Sequence, residues 1–383
     1  MNACRLLAAL SLAALGGCSM VSGVSSTVGG WFGANKAKPA ELGPVVVKVP
    51  VRQAWSVKIG PNSFPLTPQV NGTAVTLASD DGRIVSLDAR TGAELWRASA
   101  GAPLAAGVGS DGTTTAVVTR TNEVVAFAGA RELWRQTLPA EAFTAPFVAG
   151  GRVFVLSGDR AVSAFDGQTG RRLWRQQRPG EPLVLRHGGV MLAVGDTLVV
   201  GLSGRLSGLN PANGTLRWEA PVASPRGTND VERLVDLVGR VSRQGDNICT
   251  RAFQAAVGCV DAARGQLVWT KPDNGYTGID GDDTRIFGTA ANGVITAWRR
   301  TDGERAWGVE SLRYRQLSAP LVLGRSVVVG DGNGNVHMFS REDGTPVNRL
   351  ATDGSAIVAN PVLASDTLVV VTRNGGVFGF VTQ

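Results

Sequence analysis

Apolar and polar residues alternate in short runs along most of this chain, as in Ile84-Val85-Ser86-Leu87-Asp88. A period of two places successive side chains on opposite faces of an extended backbone, so such runs predict β-strands. Asn-Gly, Asp-Gly and Thr-Gly pairs punctuate them, which is the chemistry of tight turns.

The pattern itself recurs. "DGRIVSLDARTGAELWR" at 81–97 returns as "TNEVVAFAGARELWR" (121–135), "DRAVSAFDGQTGRRLWR" (159–175), "SGRLSGLNPANGTLRWE" (203–219), "QAAVGCVDAARGQLVWT" (254–270) and "NGVITAWRRTDGERAWG" (292–308). A seventh copy, "NGNVHMFSREDGTPVNR" (333–349), has lost its Trp, and an eighth begins at "NGGVFGFV" (374–381). The aligned residues Trp96, Trp134, Trp174, Trp218, Trp269 and Trp307 are 38 to 51 positions apart. A period near 40 made of strands is that of propeller blades.

Each unit reads as four strands. The innermost starts with a Pro: Pro68, Pro146, Pro320 or Pro361. Proline lacks an N–H, so it belongs on an edge strand such as the one lining a propeller channel. An Asp-x-x-Thr-Gly turn (Asp88 to Gly92, Asp166 to Gly170) leads to the fourth strand, which carries the Trp. There the Asp side chain can accept backbone N–H groups and Gly supplies positive φ. The Trp residues read as core wedged between neighbouring blades, not as a cofactor cage. The eighth unit lacks a fourth strand, and "QAWSVKIG" (53–60), with Trp55, can supply it. The expected fold is therefore all-β: an eight-bladed propeller over 45–383, closed by an N-terminal strand in the C-terminal blade.

Composition agrees: 50 of the 383 residues are Gly, 43% are hydrophobic and only 18% are charged. The formal charge of +7 comes from scattered Arg residues and no basic block. A nucleic-acid binder concentrates its charge on one face, so no nucleic-acid partner is expected.

Arg5 followed by the apolar run from Leu6 to Leu15 is too short to span a bilayer and fits a secretory signal over 1–17. Leu15-Gly16-Gly17-Cys18 resembles the lipobox of bacterial lipoproteins, which implies cleavage before Cys18 and its acylation. A plain signal peptide with an incidental Cys is the alternative. Ser19 stands where Asp would resemble an inner-membrane retention signal, which favours the outer membrane. Residues 18–44, rich in Ser, Gly and Ala, read as a lipid-anchored flexible tether, with Trp31-Phe32 against either membrane or domain.

Asp-x-x-Thr-Gly-x-x-x-Trp blades resemble the repeats of quinoprotein dehydrogenases, which hold pyrroloquinoline quinone and calcium. A lipobox, a short tether and eight repeats with little else resemble the BamB family, lipoproteins of the outer-membrane β-barrel assembly machinery. That resemblance spans the mature chain. It implies a non-enzymatic scaffold without a cofactor, facing the periplasm. Its partners would be the POTRA domains of BamA and the other lipoproteins of that machinery. Exposed blade edges also offer pairing to unfolded outer-membrane proteins.

Two stretches resemble the docking loops of that family: "EPLVLRHGG" (181–189) and "ASPRGTNDVERLVDL" (223–237). The resemblance assigns partner binding to Leu183, Leu185 and Arg186 in the first and to Asp236 in the second. The family's next acid is replaced here by Val238. Leu183 and Leu185 beside Arg186 have a hot-spot composition, and Asp230, Glu232 and Asp236 suit basic groups on a partner. The alternatives are an innermost strand with buried leucines and a variable surface loop.

Other chemistry is sparse. The two histidines, His187 and His337, read as surface or turn residues. "GDGNGNV" (330–336) lacks the Lys of a P-loop, and "DGDDTR" (280–285) lacks the later Glu of a calcium loop. No adjacent Cys pair matches the cysteine ring of the quinoprotein enzymes. A dehydrogenase or small-ligand binder using the central channel is the rival reading. Cys249 and Cys259 flank a hairpin turn near Gln254-Ala255, and an oxidising periplasm favours a disulfide there over two buried thiols. The short loop it closes limits its contribution to about 2 kcal/mol.

Overall fold

A computed structural model describes residues 37–180 and 183–382. The signal peptide, Cys18 and Trp31-Phe32 lie outside the described residues. Thirty-two described strands form eight four-stranded antiparallel sheets, the blades of a propeller. Blade 1 consists of Gln69–Asn71, Ala74–Ala78, Arg83–Asp88 and Glu94–Ser99, from the channel outward. The next six blades repeat this order. Blade 8 combines Val362–Ala364, Thr367–Val371 and Gly376–Thr382 with the N-terminal strand Val51–Lys58. The ring is thus closed by hydrogen bonds between the two ends of the fold. The expected inner prolines immediately precede the innermost strands at Gln69, Phe147, Leu321 and Val362.

The third strand of each blade is buried on both faces, so its alternation does not mark a solvent side. In Arg83–Asp88 the polar Ser86 is as buried as Ile84 and Leu87, and it receives a bond from Thr76 Oγ1 at 3.3 Å. Ser86 lies opposite Trp96 in the register, and Ala126, Ala164, Gly208 and Ala297 lie opposite Trp134, Trp174, Trp218 and Trp307. Small residues here make room for the indole. Next to each of these pairs the fourth strand carries one extra residue: Leu87 pairs with Glu94 and Ser86 with Trp96, leaving Leu95 unpaired. Such a bulge bends a strand and re-aims its side chains. It also leaves Leu95 53% exposed, which the alternation alone does not predict.

Each re-aimed Trp reaches the next blade. Trp55 Nε1 donates to Ala89 O at 2.8 Å, and its ring lies on Gly92. Trp134, Trp174, Trp269 and Trp307 donate in the same way to Gly167, Pro211, Arg300 and Arg341 carbonyls at 2.8–3.0 Å. The receiving turn is braced from within: Asp88 Oδ1 accepts Arg90 N, Thr91 N and Thr91 Oγ1, each at 3.0 Å. The bonds from Thr91, first its hydroxyl, hold the Asp88 carboxyl below its ordinary pKa. Gly92 has φ +72°, and a Cβ there would meet the Trp55 ring at 2.7 Å. Gly170, Gly214, Gly265, Gly303 and Gly344 repeat this approach to Trp134, Trp174, Trp218, Trp269 and Trp307. Blade 2 departs from it. Its turn around Gly129 is shorter, a Cβ at Gly129 would meet nothing within 4 Å, and Trp96 packs half-buried in an apolar cluster with Leu66 and Leu104.

The missing Trp of the seventh repeat now has a reason. Blade 8 draws its third and fourth strands from opposite ends of the chain, so it has no turn to receive an indole. Asn348 stands at the Trp position instead, paired with Met338. Its Nδ2 donates to Val49 O at 2.7 Å, and Lys48 N donates to Val347 O at 2.9 Å. The incoming chain fills the place of the turn.

The chain ahead of that strand is held as well. Residues from Pro39 onward belong to the compact unit of the propeller. Ala40 N donates to Arg313 O and Arg315 Nη1 donates to Ala40 O, both at 2.9 Å, while Leu42 packs on Leu312 and Leu317. These residues are pinned by backbone bonds and an apolar contact.

Gly92→Ala is expected to lower stability by at least about 2 kcal/mol, from left-handed backbone strain plus the indole clash. Gly72→Ala, at φ +61° with open space around it, carries only the backbone part, about 1 kcal/mol. Urea denaturation of the two variants measures the difference.

Candidate docking surface

Turns between the second and third strands share one end of the propeller with the connectors between blades. Several of these loops converge there. The first runs from the fourth strand of blade 3, Arg172–Gln177, to Met191–Val194 of blade 4 and holds Leu183, Leu185 and Arg186. The second runs from Leu216–Pro221 of blade 4 to Leu237–Gln244 of blade 5 and ends on Asp236. A third contributes Glu141, Phe143 and Thr144 ahead of Phe147–Ala149 in blade 3.

Described residues of "EPLVLRHGG" form no strand. The loop is held by its neighbours: Gly189 N donates to Thr144 Oγ1 at 2.9 Å, and Gly239 N to Gly188 O at 3.0 Å. Leu183 is 39% exposed, whereas Leu185 is half-buried. The Arg186 side chain is 73% exposed, yet it is braced by Glu141 Oε2 at 2.8 Å and by the Phe143 ring at 5.2 Å. An ion pair this exposed adds little stability, but with the ring contact it orients the guanidinium.

Asp236 sits differently. Its side chain is only 14% exposed, Oδ1 takes Arg160 Nη1 at 3.0 Å, and Oδ2 takes Leu185 N at 2.9 Å. It therefore joins the two loops to each other. Val238 is fully buried at the start of the blade 5 strand. In the second loop Val231, between Asp230 and Glu232, is 72% exposed. The loop is braced there by Thr228 N to Glu232 Oε2 and Glu232 N to Asn229 Oδ1, both at 2.9 Å. The bond from the Thr228 amide is the main reason that the Glu232 carboxyl titrates below its ordinary range.

Arg160, Glu141, Phe143 and Val231 were not picked out from the sequence. Only Arg160 has a legible signal: in the repeats it takes the place held by Gly82, Gly293, Gly334 and Gly375.

The central channel, about 780 Å³, is lined by innermost strands. Two of its charged groups serve one another: Arg240 pairs with Asp280 at 3.1 Å and donates to Pro361 O at 2.9 Å, and Asp280 also accepts Val322 N. Asp282 Oδ1 in "DGDDTR" is taken up by Thr284 and by Arg285 N. Cys249 and Cys259 face each other across the hairpin and are joined as a disulfide, fully buried beneath Trp269.

One histidine departs from expectation. His337 is buried in Asn335–Ser340 of blade 7, not at a surface or turn, because that strand is covered on both faces. Its Nε2 lies 2.9 Å from Asp331 Oδ2, which also takes Arg315 Nε at 2.7 Å. His187 is half-buried in the first loop.

The family model described as outer membrane protein assembly factor BamB matches residues 80–309. The chain belongs to the BamB family. It is 40% identical over 334 residues to the outer membrane protein assembly factor BamB of Burkholderia pseudomallei, covering 86% of this chain and 88% of the relative. The crystal structure of BamB from Moraxella catarrhalis superposes with a TM-score of 0.78 at 20% identity, over 86% of this chain and 99% of that one. Quinohemoprotein alcohol dehydrogenase from Comamonas testosteroni shares the fold, with a TM-score of 0.69 at 13% identity over 88% of this chain and 78% of that one. That second likeness is one of fold alone. Kinship groups the chain with BamB assembly factors and not with catalysts, and the quinoprotein alternative is not favoured.

Burial, above all, lowers the pKa of His337 below 6.5. Protonation then favours the unfolded chain, so the stability His337 contributes is present above pH 6.5 and is lost as pH falls towards its lowered value. Burial lowers His187 likewise. Melting temperature is expected to drop between about pH 7.5 and about pH 5.5, and His337→Gln should flatten that dependence. Calorimetry across this range checks it.

Proposed function

We propose that this chain is a non-enzymatic scaffold of the outer-membrane β-barrel assembly machinery. It is tethered to the outer membrane through acylated Cys18, faces the periplasm, and docks on the POTRA domains of BamA through 183–189 and 225–238. Membership of the BamB family supports the assembly role. Support for the docking surface rests on one observation. Two connectors about fifty residues apart are tied into one surface that exposes Leu183 and Arg186.

Such a surface has an apolar anchor beside a guanidinium already oriented before contact. Pre-orientation lowers the ordering cost of binding. Docking holds POTRA domains in a fixed position while barrel strands are handed on. The other assembly lipoproteins, and unfolded outer-membrane proteins at the blade edges, are further partners in this reading. Leu95, in the fourth strand of blade 1, is one apolar side chain exposed on such an edge.

Leu183→Ala combined with Arg186→Ala is expected to abolish co-purification with BamA from detergent-solubilised membranes, with the melting temperature unchanged. Undiminished BamA in that pull-down would contradict the docking assignment.

A further inference from the structure

Most of the turns between second and third strands share one geometry. In blades 1, 6, 7 and 8 the residue that closes the turn is Gly82, Gly293, Gly334 or Gly375, with φ between +77° and +93°, and its N–H returns to the carbonyl three residues back. Blade 2 places Asn122 there, a short residue that tolerates this region, and blade 3 places Arg160 there, at φ +59°, with the same bond to the carbonyl three residues back, Ser157 O, at 3.0 Å. A long L-residue in the left-handed region carries a backbone cost that glycine avoids. The turn gains nothing from it that glycine does not supply.

What Arg160 adds is its side chain. The residue is buried, and its fork reaches two loops at once: Nη1 to Asp236 Oδ1 at 3.0 Å and Nη2 to Leu183 O at 2.9 Å. Asp236 in turn accepts Leu185 N at 2.9 Å. Gly180 lies against the Arg160 stem, where a Cβ would collide with it. One planar cation thus joins blade 3, the first loop and the second loop. A guanidinium can do this because its donors are fixed in a plane, which an ammonium lacks.

We infer that Arg160 is the positioning residue of the docking surface. It acts from beneath that surface and is not itself a contact. It sets where Leu183 is presented, and it uses Asp236 as its second arm. The inference rests on the docking reading above and deepens it: Asp236 acts inside the surface by joining loops, not as a contact.

The test uses the mature propeller and a purified POTRA segment of BamA from the same organism. Affinity is measured for wild type, Arg160→Gly, Arg160→Lys, Asp236→Asn, the double variant Arg160→Gly/Asp236→Asn, and Leu183→Ala/Arg186→Ala. Hydrogen exchange is followed in the same samples. Glycine restores the turn used by blades 1, 6, 7 and 8, so strand amides should keep their protection while amides of 183–189 exchange faster. Affinity should fall about tenfold, a typical coupling between sites. Arg160→Lys should recover part of the loss, and the double variant should bind no more weakly than either single one. Asp236→Asn gives the same reading should Arg160→Gly not fold. Wild-type affinity in Arg160→Gly, or in Asp236→Asn in its place, with binding lost in Leu183→Ala/Arg186→Ala, would overturn the inference and leave the docking reading standing. Wild-type affinity in Leu183→Ala/Arg186→Ala would overturn both.

Discussion

An indole resting on a glycine of the next blade is the contact on which this ring depends. The Trp supplies apolar area worth on the order of 3 kcal/mol and a donor that must find an acceptor when buried. The next blade supplies both needs in one turn, a bare Gly92 under the ring and the Ala89 carbonyl for its N–H. Neither half is useful without the other. The bulge that frees Leu95 turns the Trp outward, and the small residue opposite clears its path. Because one blade after another gives an indole and receives one, with Asn348 and the incoming chain in its place between blades 7 and 8, a chain of local hairpins becomes a closed object. The single seam uses the same contact, since Trp55 comes from the N-terminal strand and lands on blade 1.

A closed ring leaves its connectors free for other work. The turns that receive indoles lie at one end, and the candidate docking loops lie at the other. Changes in the second set therefore do not disturb closure. The long insertion before blade 5 is accommodated there, anchored by Asp236 and braced by Glu232 near its tip. Rigid strands behind the loops hold Leu183 and Arg186 in place, which suits a scaffold that must present one surface to one partner.

Much of this was legible because it is local. Turn residues, strand period, the prolines of the inner strands and the repeat itself all lie within a few positions of each other. The N-terminal strand could be placed in blade 8 because Trp55 matched the missing position. What stayed hidden depends on neighbours in space. The burial of His337 follows from a strand covered on both faces, which alternation does not report. The loss of Trp from the seventh repeat makes sense only once blade 8 is seen to lack a receiving turn. Asp236 could be singled out, but its pairing with Arg160 spans 76 residues and belongs to three loops at once. Even so, the left-handed Arg160 stands out once the repeats are aligned on one another, since four of the related turns use glycine and blade 2 uses the short Asn122.

Site-specific photo-crosslinking in intact cells tests the central claim most directly. A crosslinker at residue 183 or 186 probes the proposed docking end, and one at residue 90 or 130 probes the turns of the opposite end. The account predicts crosslinks to BamA from 183 and 186 and none from 90 or 130. BamA captured only from the turn positions, or equally from all four, would contradict it.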